Sequence, residues 1–142
     1  MNELMINPAF QTYAVCACIL AIKMLLTGNY TTMTRMRSKG FVNAEDAKSF
    51  GATMSEQEHP AVAHALRIQR NDGENIPLFW AVGLIFVLNG ASANAAWWYC
   101  WTFTVARLVH WFVYLNHLQP WRAICYFVGY LCLLGMALQV IF

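Results

Sequence analysis

The sequence predicts an all-α integral membrane protein, a single domain built as an antiparallel bundle of four transmembrane helices. Of its 142 residues, 59% are hydrophobic and only 11% are charged, whereas about 25% of the residues of a soluble domain are charged. The charges are confined to a few stretches, which leaves apolar segments long enough to cross a bilayer. A net charge of +2 gives no reason to expect a nucleic-acid partner.

The first predicted helix covers about residues 9–37. Its apolar part, Ala9–Leu26, can span a bilayer together with its polar extension, and the helical pattern continues through Arg35 and Arg37. Lys23 lies near the end of the apolar part, where we expect it to snorkel to the membrane interface.

A polar loop at about residues 38–59 follows the first helix. Within it, Asn43 is placed to cap a short helix that has Glu45 and Asp46 in its first turn. Acidic residues there are favourable because the amino end of a helix carries a partial positive charge.

Three more helices are predicted, separated by short turns at Asn89–Asn94 and Asn116–Trp121. Pro60 suits the first turn of the second helix, since a helix leaves its first backbone amides unbonded in any case. Their predicted ranges are about residues 60–88, 95–115 and 121–142.

The positions of the basic residues predict the orientation of the bundle. Lysine and arginine cluster in or beside the first and third connections, while the N-terminus, the Asn89–Asn94 turn and the C-terminus have none. The positive-inside rule then places both termini outside and the 38–59 loop in the cytoplasm. The aromatic cluster of Trp97, Trp98 and Trp101 is typical of an interfacial belt.

The five cysteines all lie in apolar segments and form no CxxC pair. No histidine stands at ligand spacing to them. We therefore expect them to be buried, inert side chains rather than disulfides or metal ligands, and the sequence predicts no metal site.

A polar stripe on the second predicted helix leads directly into the uncharged segment Pro77–Leu88. Arg67, Arg70, Asn71 and Glu74 stand at i, i+3, i+4 and i+7, so they share one helix face. Such a face can bind a small zwitterion with several carboxylates. The alternative is a solvated helix end held by internal ion pairs.

Polar residues from all four predicted helices fall near one depth, at the cytoplasmic interface. This convergence predicts a shared binding site. Its members are Arg35, Arg67, Arg70, Asn71, Glu74, Arg107, His110, Tyr114 and Arg122.

These residues carry a resemblance to a known family. The matching motifs are Phe41-Val-Asn-Ala-Glu-Asp46-Ala47, Arg67-x-x-Arg70-Asn71-Asp72-x-Glu74-Asn75-Ile76, Arg107-x-x-His110-x-x-x-Tyr114-Leu115 and Gln119-Pro-Trp-Arg122-Ala-x-x-Tyr-Phe-Val-Gly-Tyr130. In this order and spacing, from Lys23 to the last helix, the chain resembles the membrane-associated proteins in eicosanoid and glutathione metabolism (MAPEG). It is closest to the branch of microsomal glutathione transferases and microsomal prostaglandin E synthases.

The resemblance implies a homotrimer that binds glutathione between neighbouring subunits near the cytoplasmic face. Glutathione has two carboxylates for guanidinium groups, an ammonium for Glu74 and a thiol. The resemblance places Arg122 beside the sulfur as the catalytic residue. The implied glutathione contacts are Arg35, Arg67, Arg70, Asn71, Glu74, Arg107, His110, Tyr114 and Tyr126.

Two positions bear on the reaction type. Ala123 stands where prostaglandin E synthase has a serine after this arginine, which favours the transferase branch. Asp46 matches a residue implicated in the isomerase reaction, although a helix-capping role explains it equally well. Asp72 lies off the Arg67–Glu74 face and is expected to be structural.

The sequence therefore predicts an enzyme that uses glutathione to attack a lipophilic electrophile or to reduce a lipid hydroperoxide taken from the membrane. The nearest alternative is a prostaglandin-type endoperoxide isomerase. A third possibility is a non-catalytic lipid-binding scaffold of the same family. The presence of Arg122 together with the complete second-helix stripe argues against it. A small multidrug exporter would need one lone membrane carboxylate rather than a basic cluster.

Overall fold

The protein is all-helical in the computed structural model, which describes residues 3–142. This part of the chain contains no strand, which confirms the prediction that the protein is all-α. Its helices are α1 (Glu3–Ile6), α2 (Pro8–Ser38), α3 (Ala44–Ser49), α4 (Pro60–Leu88), α5 (Ala93–Leu115) and α6 (Trp121–Ile141).

Two of these helices, α2 and α6, are long and apolar enough to cross a membrane, among the residues that the structure describes. In α4 the amino-terminal half carries the charged residues of the Arg67–Glu74 stripe, whereas the half after Pro77 has none. Pro77 lies inside α4, where it removes one backbone hydrogen bond to the carbonyl of Gly73.

The chain divides into two compact units. The first unit consists of residues 3–23 and 74–142, and the second unit is residues 24–73. Helices α2 and α4 each contribute a segment to both.

Aromatic side chains form the core of the first unit. The rings of Phe79 and Phe103 stack with their centroids 4.6 Å apart. Tyr13 packs at 5.8 Å from Phe79 and donates a hydrogen bond from its hydroxyl to the carbonyl oxygen of Trp80 at 2.8 Å. Cys16, buried nearby on the same α2 face, fills space as a small apolar group.

A glycine allows α6 to approach α5 closely. A Cβ atom added at Gly135 would lie 2.7 Å from Cε1 of Tyr99 and 2.8 Å from its hydroxyl oxygen. Tyr99 is held there by an edge-on contact with Phe86 at 5.7 Å and by a hydrogen bond from Gln139 Nε2 at 3.1 Å. This contact fixes how α5 and α6 pack, and with them the residues at their ends.

The second unit contains the polar loop. Phe41 and Phe50 stack in parallel with centroids 5.2 Å apart, and the amide of Ser55 donates to the carbonyl of Phe41 at 2.8 Å. The loop therefore folds back on itself around the short helix α3, which begins after Asn43 as predicted. The Asn43 side chain makes no capping hydrogen bond; its amide donates to Asp46 Oδ2 at 3.3 Å instead.

Three expectations from the sequence are wrong in detail. Lys23 is only 3% exposed, so it is buried by the protein and does not snorkel. The turn predicted at Asn89–Asn94 is shorter, because Ser92 Oγ caps α5 by accepting from the amide of Ala95 at 3.2 Å. Cys16, Cys100 and Cys132 are buried, but Cys18 is exposed and Cys125 is partly exposed.

Candidate functional site

An arginine, a tyrosine and a histidine form a continuous stack where α5 meets α6. The Cζ atom of Arg122 lies 4.6 Å from the centre of the Tyr114 ring. Tyr114 also packs nearly perpendicular to His110, with ring centroids 5.5 Å apart at 74°. Because His110 and Tyr114 are four residues apart on one helix, they share a face. The short turn after α5 returns the chain so that Arg122, in the first turn of α6, lies over the Tyr114 ring.

Gln119 orients the Arg122 guanidinium. With its amide oxygen turned toward the arginine, Gln119 accepts from Arg122 Nε at 3.0 Å and from Nη2 at 2.6 Å. These bonds use two of the five N–H groups of a guanidinium. The charge is held by a side-chain oxygen and an aromatic face rather than by a carboxylate, so it remains available to an anion.

His110 and Arg107 lie deeper in the first unit. Arg107 is fully buried and His110 is 2% exposed. The stem of Arg107 packs beside Gly129 of α6, where an added Cβ would lie 3.6 Å from Arg107 Cδ. Among the described residues, no group forms a hydrogen bond with the buried Nδ1 atom of His110. A buried nitrogen without a hydrogen-bond partner is costly, and a ligand bound at this site could supply that partner.

The stripe on α4 has the spacing expected from the sequence. Arg67, Arg70 and Glu74 are exposed, and Asn71 is partly buried. Two guanidinium groups and a carboxylate on one helix face can bind a ligand that has carboxylates and an ammonium. Asp72 points elsewhere: it is 1% exposed.

The contact of Asp72 gives it a structural role. The Thr27 hydroxyl donates to Asp72 Oδ2 at 3.1 Å, which joins α2 to α4 within the second unit. Both side chains are buried, so the bond offsets part of the cost of burying a carboxylate.

Arg35 and Asp46 line the same small pocket in the second unit. The pocket has a volume of about 130 Å³ and is completed by Thr32, Met36, Phe41 and Phe50. The sequence did not indicate the carboxylate that Arg35 binds: Nη2 of Arg35 lies 2.6 Å from Oε1 of Glu58. Glu58 is in the loop, where no helical spacing points to its partner. The sequence predicts that residues of both units form one site, and this stays a prediction.

An apolar groove of about 430 Å³ runs between α5 and α6. Trp97, Trp98 and Trp101 line it toward the start of α5, and Ile124 and Cys125 line it within one turn of Arg122. Tyr126, which the sequence predicted to contact glutathione, follows Cys125 in α6 and is exposed. The apolar lining of the groove suits a lipophilic ligand. Sequence reasoning assigned the tryptophans to a membrane belt and missed the groove.

Comparison with known proteins identifies the family of the chain. Residues 13–142 match the MAPEG family. The chain is 34% identical to the prostaglandin E synthase of Homo sapiens over 138 residues, covering 96% of this chain and 91% of that protein. It is also 34% identical to microsomal glutathione S-transferase 1 of Sus scrofa over 146 residues, covering 99% and 94%.

Proposed function

The chain belongs to the MAPEG family, and we propose that it activates the thiol of glutathione for attack on lipophilic molecules. The relatives named as glutathione transferases support a glutathione-dependent membrane enzyme. The observation that carries the specific proposal is the Arg122 guanidinium, which Gln119 and Tyr114 hold with N–H groups left for an anion. Such a group stabilises a thiolate more than a thiol.

Arg122 has the catalytic role in this proposal. A free thiol of this type has a pKa of about 8.5, so a depression of about one to two units makes most of it nucleophilic at neutral pH. In conjugation, the thiolate sulfur forms a bond to an electrophilic carbon and the leaving group departs. In peroxide reduction, the sulfur forms a bond to the terminal oxygen of a lipid hydroperoxide, and the O–O bond breaks to release the lipid alcohol. A second glutathione then condenses with the resulting sulfenic acid to give the disulfide and water.

The remaining predicted residues bind glutathione in this proposal. Guanidinium groups take its two carboxylates, and Glu74 takes its ammonium. The proposed contacts are Arg35, Arg67, Arg70, Asn71, Glu74, Arg107, His110, Tyr114 and Tyr126. The α5–α6 groove supplies the lipophilic partner from the membrane.

A second candidate is prostaglandin-type isomerisation, in which the same thiolate opens an endoperoxide. The 34% identity to prostaglandin E synthase supports this candidate as much as the same identity to microsomal glutathione S-transferase 1 supports the first. Ala123 argues for the transferase, because it is exposed beside Arg122 and has no hydroxyl to assist the thiol. Asp46 is the residue whose role would differ between the two reactions.

We further propose that all four long helices span the membrane, with both termini outside and three protomers assembled into a homotrimer. The support is the absence of lysine and arginine at both termini together with the family. The membrane is the inner membrane in a bacterium and the endoplasmic reticulum in a eukaryote.

A turnover screen of the detergent-solubilised protein tests the activity. Glutathione is combined in turn with an aryl halide, a lipid hydroperoxide and a prostaglandin endoperoxide. Product formation with the aryl halide or the hydroperoxide supports the first proposal, and formation of a prostaglandin E product alone supports the second. No glutathione binding by calorimetry at millimolar concentration overturns both.

A further inference from the structure

Arg35, a proposed glutathione contact, is already bound to a carboxylate of its own chain. Its Nη2 atom lies 2.6 Å from Glu58 Oε1, a short charge-assisted hydrogen bond. Each side chain is 26% exposed, so the pair is sheltered from solvent but not sealed. Glu58 therefore binds the Arg35 guanidinium, which in the proposed function binds a carboxylate of glutathione.

The ion pair uses only part of the bonding capacity of either group. Arg35 Nε and Glu58 Oε2 are both buried, and neither has a hydrogen-bond partner among the described residues. An arginine and a carboxylate in their best geometry form two parallel hydrogen bonds, whereas this pair is joined by one. A ligand carboxylate that approaches both Nε and an Nη atom would satisfy the arginine better than Glu58 does.

The position of Glu58 allows this exchange. Glu58 lies in the loop two residues before α4 begins at Pro60, whereas Arg35 is in the last turn of α2. The loop is closed by the Phe41–Phe50 stack and the Ser55–Phe41 hydrogen bond. Rotation of the Glu58 side chain releases Arg35 without breaking either of these contacts.

We infer that Glu58 is an internal competitor that lowers the affinity of the protein for glutathione by occupying Arg35. The inference rests on the proposed function and adds a residue that sets substrate affinity. Glutathione binding exchanges one carboxylate for another at the guanidinium, so the number of charges paired with Arg35 stays the same. Glu58 then turns toward solvent.

The test measures glutathione affinity by calorimetry in Glu58→Gln and in its matched control Glu56→Gln. Glu56 is an exposed carboxylate in the same loop, so both variants lose one negative charge from the same segment. We expect glutathione to bind about two- to fivefold more tightly to Glu58→Gln, the range of a partly exposed ion pair, and unchanged to Glu56→Gln. In turnover assays, KM should fall for Glu58→Gln while kcat stays constant.

A double variant separates competition from a general effect on the loop. In an Arg35→Ala background, Glu58→Gln should leave glutathione affinity unchanged, because no guanidinium remains to be released. Glu58→Ala provides a second replacement and should tighten binding like the glutamine. Thermal melting of each variant checks that it is folded.

Each outcome is decisive. If the parent binds glutathione and Glu58→Gln and Glu58→Ala bind with equal or weaker affinity, Glu58 positions Arg35 rather than competing for it, and the inference is overturned alone. If the tightening persists in the Arg35→Ala background, competition at Arg35 is likewise overturned. If the parent does not bind glutathione, the proposed function and the inference fall together.

Discussion

Arg122 should affect the chemical step more than glutathione binding, because the charge on sulfur exists only in the activated complex. Arg122→Ala is expected to lower turnover by about one or more orders of magnitude, the scale of losing one preorganised charged donor, with little change in glutathione affinity. Arg122→Lys should recover only part of the rate, since lysine keeps the charge but loses the planar arrangement that binds Gln119 and covers Tyr114.

The direct measurement is the ultraviolet absorbance of bound thiolate, titrated against pH. The midpoint should lie below that of free glutathione in the parent and move back up in Arg122→Ala. Arg37→Ala is the control, because Arg37 is an exposed arginine at the end of α2. If the titration midpoint in the parent protein is no lower than that of free glutathione, the site does not activate the thiol. A non-catalytic lipid-binding scaffold then becomes the better hypothesis.

The α4 stripe should determine binding rather than chemistry. Arg70→Ala and Glu74→Ala are each expected to weaken glutathione binding by about 1.5–3 kcal/mol, the scale of hydrogen bonds to charged groups. Calorimetry measures this, with Glu45→Ala as a control that removes an exposed carboxylate from α3. If Arg70→Ala and Glu74→Ala both bind like the parent, the stripe only solvates a helix end.

The sequence predicts correctly which residues lie together when they belong to the same helix. His110 and Tyr114 share a face because they are four residues apart, and the structure brings their rings together. The partners of Arg35 and Asp72 could not be predicted, because Glu58 lies in a loop and Thr27 lies on another helix. Such pairs depend on tertiary packing, which no local spacing reveals.

At the scale of the helices, the contact between Gly135 and Tyr99 should control how α5 packs on α6. Gly135→Ala is expected to destabilise the protein by about 1–3 kcal/mol, the usual cost of overpacking, because the Tyr99 ring is fixed on two sides. Thermal melting in detergent measures the effect. Gly28→Ala is the matched control, since a Cβ at that helical glycine meets nothing within 4 Å; an equal loss in both variants would contradict the packing explanation.

The start of α4 could be predicted from a local signal, because Pro60 favours the first turn of a helix. The start of α5 was predicted two residues late, because the capping role of Ser92 was not recognised. The α5–α6 groove was not predictable in the same way. Its apolar lining residues resemble any lipid-facing surface in the sequence, and the groove forms only where residues of α5 and α6 come together in the fold.

At the scale of the whole molecule, we expect the solubilised protein to be a homotrimer. Light scattering, corrected for bound detergent, should give a protein mass three times that of the 16.2 kDa chain. In the proposed assembly, glutathione binds between neighbouring subunits of a closed symmetric oligomer. A mass corresponding to one chain would remove the subunit interface from the proposed site.

Glutathione should stabilise that trimer if it binds between neighbouring subunits. A ligand that binds only the assembled state shifts the equilibrium toward it, by about 2.7 kcal/mol when its free concentration is 100 times Kd. The dissociation constant of the trimer should therefore fall by about two orders of magnitude per site under those conditions, and the midpoint of dissociation on dilution in detergent, which varies as the square root of that constant, by about one order per site. Arg70→Ala, measured at the same glutathione concentration, should show a smaller shift because its Kd is higher. If glutathione binds the parent but leaves the midpoint unchanged, each subunit binds it alone, and the residues named here must form a complete site within one chain.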